Sequence, residues 1–346
     1  MRRATGILLS IVVTLSLALS ACGGGDDGPK LAKHESLRFV PSDASAIVTL
    51  RSDLFASDPA LKELLEDVLS GEGGFLGDQL PIDGDSLRAL LNLGPKFMTI
   101  FFVGPREAGP PTLDSNGNPV EEGGPASGLL IEGSFNKALL VPLIGAALGA
   151  KPAMTTYKGV EVFTLAFKGR SLSIAFMSGS LLAVASPQTI VSIIDIKDGT
   201  MSVLQGKRLR ELDRSDDDFV KLSVGPIGEA LRGQKMDSGS MMGSALSTIE
   251  NVSLGIKKSG DDFLLHAKVE MASFQDAQKM KKAVHGLRDI LDFAAGGTDV
   301  ARLLTKIEDG ARGRDYVISI RYSYEDIEKL QDGLKSAGSR LMGDEE

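Results

Sequence analysis

Residues 159–186 read GVEVFTLAFKGRSLSIAFMSGSLLAVAS, three apolar runs separated by KGR (168–170) and SGS (178–180). Each run is rich in β-branched and aromatic residues and too short for a stable helix. Each spacer carries a glycine, the residue that turns a chain at least steric cost. This spacing predicts an antiparallel meander. A helix over 187–196 closes the unit.

Working outward, AIVTL predicts a strand at 46–51, followed by a helix near 58–69 with Asp58 as its N-cap and Pro59 at its first position. KFMTIFFVG (96–104) and SGLLIEGSF (127–135) read as strands. The Pro-, Gly- and Asn-rich stretch between them reads as a surface loop, and a helix follows over 136–148. The charged stretch GKRLRELDRSDDD (206–218) has the composition of a linker. Beyond it come a strand at 219–224, a Met-, Gly- and Ser-rich segment near 233–244, and a hairpin turning at Lys258 to Asp261. A long helix, Phe274 to Phe293, then carries Ala277, Met280, Val284, Leu287 and Leu291 as one apolar stripe. RDYVISIRYSYEDIEKLQDGL supplies a last strand and helix.

One junction recurs. LLIEGSFNKALL, AKVEMASFQDAQKM and ISIRYSYEDIEKL each run from an apolar strand through Ser and an aromatic residue into a helix. Ser134, Ser273 and Ser323 are placed to accept the first free amide hydrogens of those helices. The expected fold is therefore α+β, an antiparallel sheet with helices packed on one face, in two related halves. The domains are expected at 37–205 and 219–346, joined by 206–218.

Ahead of them, Arg2 and Arg3 precede an apolar core, Ile7 to Ala21, that ends in small residues. A bilayer-spanning helix needs about 20 mostly apolar residues, so this core is short for one and fits a cleaved secretory leader, residues 1–21. Its end, Leu19-Ser20-Ala21-Cys22, resembles the lipobox of bacterial lipoproteins at all four positions, and Cys22 is the sole cysteine of the 346 residues. The resemblance implies that Cys22 receives a diacylglycerol and becomes the acylated first residue, a permanent membrane anchor because two or three chains hold where one does not. Gly23 in place of Asp implies the outer membrane of a Gram-negative envelope, facing periplasm or surface. In a Gram-positive host it implies the outer leaflet of the only membrane. Residues 22–36 have a glycine-rich tether composition, with the globular part beginning near Leu37. Val40-Pro41-Ser42-Asp43, leading into AIVTLR, also resembles the opening of bacterial envelope domains that begin Pro-Ala-Asp before a strand, a likeness that implies no activity.

Without the leader the chain keeps 36 basic and 46 acidic residues, a net charge of −10. Such a surface repels phosphate backbones, which argues against nucleic acid as a partner. Tryptophan is absent and aromatics are 5%, leaving little platform for stacking sugars or bases. With Cys22 lipidated no disulfide is available, so stability must come from burial.

Candidate chemistry is sparse. Ser134-Phe135-Asn136-Lys137 matches the S-x-x-K of penicillin-binding proteins and serine β-lactamases, but the companion Ser/Tyr-x-Asn is missing between 134 and 258, and Lys258-Ser259-Gly260 falls in the hairpin turn. Asp114, Asn116 and Asn118 occupy positions 1, 3 and 5 of a calcium-type loop, yet Pro119 and Pro125 stand where Gly and Glu are required, so a solvated turn is the reading. His34, His266 and His285 form no local metal set, although the last two lie on successive elements that can approach. No nucleotide loop, nucleophile elbow or zinc-protease motif occurs, and no cofactor is expected. These features favour a non-catalytic envelope scaffold or adaptor that binds another envelope protein. The alternative is a carrier of a lipid or other apolar ligand in a cavity between sheet and helices.

Overall fold

The computed structural model describes residues 32–58, 94–104, 126–147, 151–167, 170–214, 217–225, 246–295, 306–323 and 325–326. The chain divides into two compact units, which among these residues are 32–214 and 217–326. Sheet dominates both, every pairing within them is antiparallel, and a few helices accompany it, an α+β architecture.

The first unit holds β1 (Ala44–Leu50), β2 (Phe97–Val103), β3 (Ala126–Glu132), β4 (Ala153–Tyr157), β5 (Val160–Phe167), β6 (Arg170–Phe176) and β7 (Leu181–Ala185). Their order is β1-β2-β3-β7-β6-β5-β4. The meander is present as β5, β6 and β7, and β4 adds a strand that the sequence reading left out. Its hairpin to β5 turns at Lys158 and Gly159, both at positive φ (45° and 76°), the pairing a tight hairpin turn of matching twist requires. The helices are α1 (Ser52–Ser57), α2 (Lys137–Ala147), α3 (Pro187–Lys197) and α4 (Gly206–Asp213).

Helix α3 lies on β3, β6 and β7. It turns Ile190, Ile193 and Ile194 onto the sheet, and the strands meet it with the small side chains of Ala175, Ala183 and Ala185. Gly128 serves the same layer: a methyl group there would sit 2.3 Å from the ring of Phe101, its cross-strand partner, so the glycine is the space into which that ring lies. Residues of the opposite parity are no wetter. Met98, Ile100, Leu129, Ile131, Leu182 and Val184 are at most 2% exposed, so the central strands are buried on both faces. That explains why FMTIFFV and LLAVA are continuous apolar runs rather than alternating ones.

The second unit holds β8 (Asp218–Val224), β9 (Ile249–Ser259), β10 (Asp262–Met271), β11 (Ile307–Arg312), β12 (Asp315–Ser323) and α5 (Phe274–Ala295), in the strand order β11-β12-β10-β9-β8. Helix α5 packs on β10, β11 and β12. Ala277, Met280 and Ala283 are its buried stripe; Ala283 lies deeper than Val284, and the side chains of Leu287 and Leu291 lie outside the described residues.

Three local readings need correction. The stretch 206–218 is no plain linker: it forms α4 and then enters β8, and the division between units falls after Arg214. The tether reading runs too far, because the packed chain begins by Ala32, with Ala32, Ser36 and Leu37 at most 3% exposed. Ser134 is exposed and is not the cap of α2; Asn136 is, its Oδ1 accepting from the Ala138 amide at 3.1 Å. Ser273 and Ser323 do cap as expected, accepting from the amides of Asp276 (3.1 Å) and Asp326 (3.2 Å). The helix expected at 58–69 lies outside the described residues beyond Asp58, which is extended at φ −123° and ψ 114°.

Candidate functional site

Cys22 and the loop residues Asp114, Asn116 and Asn118 lie outside the described residues. Among the described residues no group of three or more His, Cys, Asp or Glu side chains is placed to hold a metal ion, and no helix is long and apolar enough to cross a membrane.

The Ser-x-x-K pair is not assembled as a nucleophile and base. The Lys137 ammonium pairs with Glu161 on β5 and stands 5.4 Å from the Phe163 ring centroid.

Each histidine takes its own carboxylate. His285 on α5 has Nε2 2.9 Å from Asp309 Oδ2, to which the Tyr316 hydroxyl also donates at 3.1 Å. Burial first, and then the Asp309 charge, push the Tyr316 phenol upward. His266 lies on the other face of the same sheet, because its cross-strand partner Ser319 has the parity opposite to Tyr316. It reaches over β9 toward Asp218, Nε2 to Oδ2 3.6 Å, a separation beyond hydrogen bonding. The route is open only because residue 255 is glycine: a Cβ there would lie 2.4 Å from Nε2. The approach of His266 to His285 is therefore not made. Asp218 is 5% exposed, and its Oδ1 has no hydrogen-bond partner among the described residues.

The strongest polar cluster seats the incoming chain. Asp213 at the end of α4 accepts from the Lys33 amide (3.0 Å), His34 stacks on Phe97 with ring centroids 3.6 Å apart, and Ser36 bonds Glu132. Burial pulls the Glu132 carboxyl upward, yet His34 and Ser36 outweigh it and hold the group below the usual carboxylate range. A second cluster clasps the β4–β5 hairpin to α3. The Lys158 ammonium meets Asp195 and Asp198 at 2.8 Å and the Thr200 hydroxyl at 2.8 Å, while the Tyr157 hydroxyl donates to Asp195 at 3.0 Å. Lys158 holds the Asp195 carboxyl low, and Asp195 in turn raises the Tyr157 phenol. No motif in the sequence singles out Glu132, Asp195 or Asp218. The signal available was an acid embedded in an apolar run, as in LLIEG and IIDI.

An open cleft of about 320 Å³ in the second unit is lined by Asp262, Lys306, Glu308, Arg321, Ser323 and Asp326. Lys306 pairs with Asp326 and Arg321 stands 3.8 Å from Asp262, so the cleft is lined largely by charged groups. These arrangements fasten elements of the fold together.

No protein-family model and no curated protein matches the chain. Among solved structures, crystal form I of TP0453 is similar with a TM-score of 0.48 and 11% identity, covering 88% of this chain and 98% of that one. Crystal form III of TP0453 matches with a TM-score of 0.47 and 10% identity, over 88% of this chain and 99% of that one.

Proposed function

We propose that the protein is a bacterial envelope lipoprotein, anchored through acylated Cys22, that works as a non-catalytic scaffold or adaptor for another envelope protein. In a Gram-negative envelope, Gly23 on the lipobox resemblance points to the outer membrane. We infer further that the two units are related halves, each a sheet with its helices on one face. The observation that favours an adaptor over a carrier is the filled interior of the first unit. Its central strands are buried on both faces, and the ring of Phe101 occupies the space above Gly128. A carrier needs an apolar cavity of several hundred Å³. Among the described residues the cleft of about 320 Å³, in the second unit, is lined mainly by charged groups.

Gentle purification followed by native mass spectrometry tests the choice, with in-cell cross-linking in parallel. The adaptor reading expects a reproducible protein cross-link and a mass equal to the acylated chain. A stoichiometric co-purifying lipid beyond the anchor would establish the carrier instead.

A further inference from the structure

The register of the first unit's sheet places several features at one end. Glu132 pairs with Phe97 and Leu181, Leu182 pairs with Phe176, Val162 pairs with Ala175, and Val160 pairs with Tyr157. The chain enters the unit at this end, since Ser36 is bonded to Glu132 and His34 is stacked on Phe97. Helix α2 also starts here: five residues after Glu132, Lys137 pairs with Glu161, the neighbour of Val160. Its start is oddly dressed for a solvated surface. Residues 138–150, ALLVPLIGAALGA, contain no polar side chain, and Lys137 and Lys151 flank them. Leu139 is 70% exposed, with Ala138 and Pro142 exposed beside it. A helix without a polar face belongs in a core or in lipid, and a lysine at its start suits an interface because its stem reaches out to water.

We propose that this end of the first unit lies against the bilayer, with Leu139 and the start of α2 in the lipid interface. The proposal rests on anchoring at Cys22. Only ten residues, 22–31, separate that anchor from packed Ala32. A glycine-rich chain of that length spans roughly 17 Å when relaxed, and about 35 Å fully extended. From the strand of Glu132 to the strand of Glu161 is three strand spacings, about 14 Å. The anchor thus holds the entry end, and the exposed leucine near it, within reach of the membrane. The mature chain's net charge of −10 means that the contact is apolar rather than electrostatic.

The test supplies the tether artificially, so that it does not depend on acylation in the cell. The mature chain with Cys22→Ala and an N-terminal hexahistidine is bound to phosphatidylcholine vesicles containing a nickel-chelating lipid. It carries a polarity-sensitive dye on Leu139→Cys or, as a control at the opposite end of β4, on Ala153→Cys. The expected result is a blue shift at 139 on vesicle binding and quenching by brominated phosphatidylcholine, with no change at 153. Equal responses at the two sites, or none at 139, would overturn the proposal. Failure of the anchoring reading would show separately, as absence of fatty-acid label on the native chain.

Discussion

Ser36 donates twice to one oxygen of Glu132: its hydroxyl lies 2.6 Å and its amide nitrogen 2.7 Å from Oε1. The same hydroxyl is 2.8 Å from Thr99 Oγ1, and Ser36 is fully buried. The residues that follow the tether are thus fastened to the end of a central strand by a charge-assisted bond.

Replacing Glu132 with Ala leaves the buried Ser36 amide without its acceptor and leaves its hydroxyl only Thr99, and hydrogen bonds to charged groups are each worth about 1.5–3 kcal/mol. The expected loss of unfolding free energy is about 2 kcal/mol, read from denaturant midpoints. The folded carboxyl titrates below its ordinary value of 4.5, so its contribution is complete above that pH and disappears as pH falls through the lower folded value. Wild type should lose stability over that acid window, while Glu132→Gln should lack that component.

Gly128→Ala should destabilise by about 1–3 kcal/mol, because the added methyl would lie 2.3 Å from the buried Phe101 ring, which would have to shift. The effect should be coupled: Phe101→Leu should cost less in the Gly128→Ala background than in wild type. Additive losses in a double-mutant cycle would contradict the packing described for this pair.

The helix caps give a contrast within one motif. Ser273→Ala should cost about 1 kcal/mol by removing the acceptor of the Asp276 amide. Ser134→Ala should stay within about 0.5 kcal/mol because that side chain is exposed. Asn136→Ala should carry the loss for α2, as its side chain accepts from Ala138. Thermal unfolding of the three variants under one buffer checks the order.

Most strands were legible because their cause is local. The runs around Ile47, Phe101, Leu130 and Leu182 are apolar and β-branched, and glycine-bearing spacers separate them. Strand β4 was not, since AMTTY has little apolar content and owes its place to the Lys158-Gly159 turn and to pairing with β5. Helix α4 was read as linker because its composition is charged, yet Leu212 is buried in the unit's core and Arg208 donates to the Ala44 carbonyl at 2.7 Å. Burial lowers the Arg208 guanidinium to about 10, a sign of how far tertiary packing overrode the surface-like sequence. The polar clusters were illegible for a different reason. Ser36 and Glu132 are 96 residues apart, and the Lys158–Asp195 contact joins a turn to a helix, pairings that only the sheet order creates.

The central claim is the anchor, and metabolic labelling with an alkyne fatty acid tests it most directly. Cells expressing wild type or Cys22→Ala chains would be labelled, fractionated and probed for the protein. The account predicts label on wild type, recovery of wild type in the membrane fraction, and an unlabelled, membrane-free Cys22→Ala chain. An unlabelled wild type, with Cys22→Ala still in the membrane fraction, would contradict it.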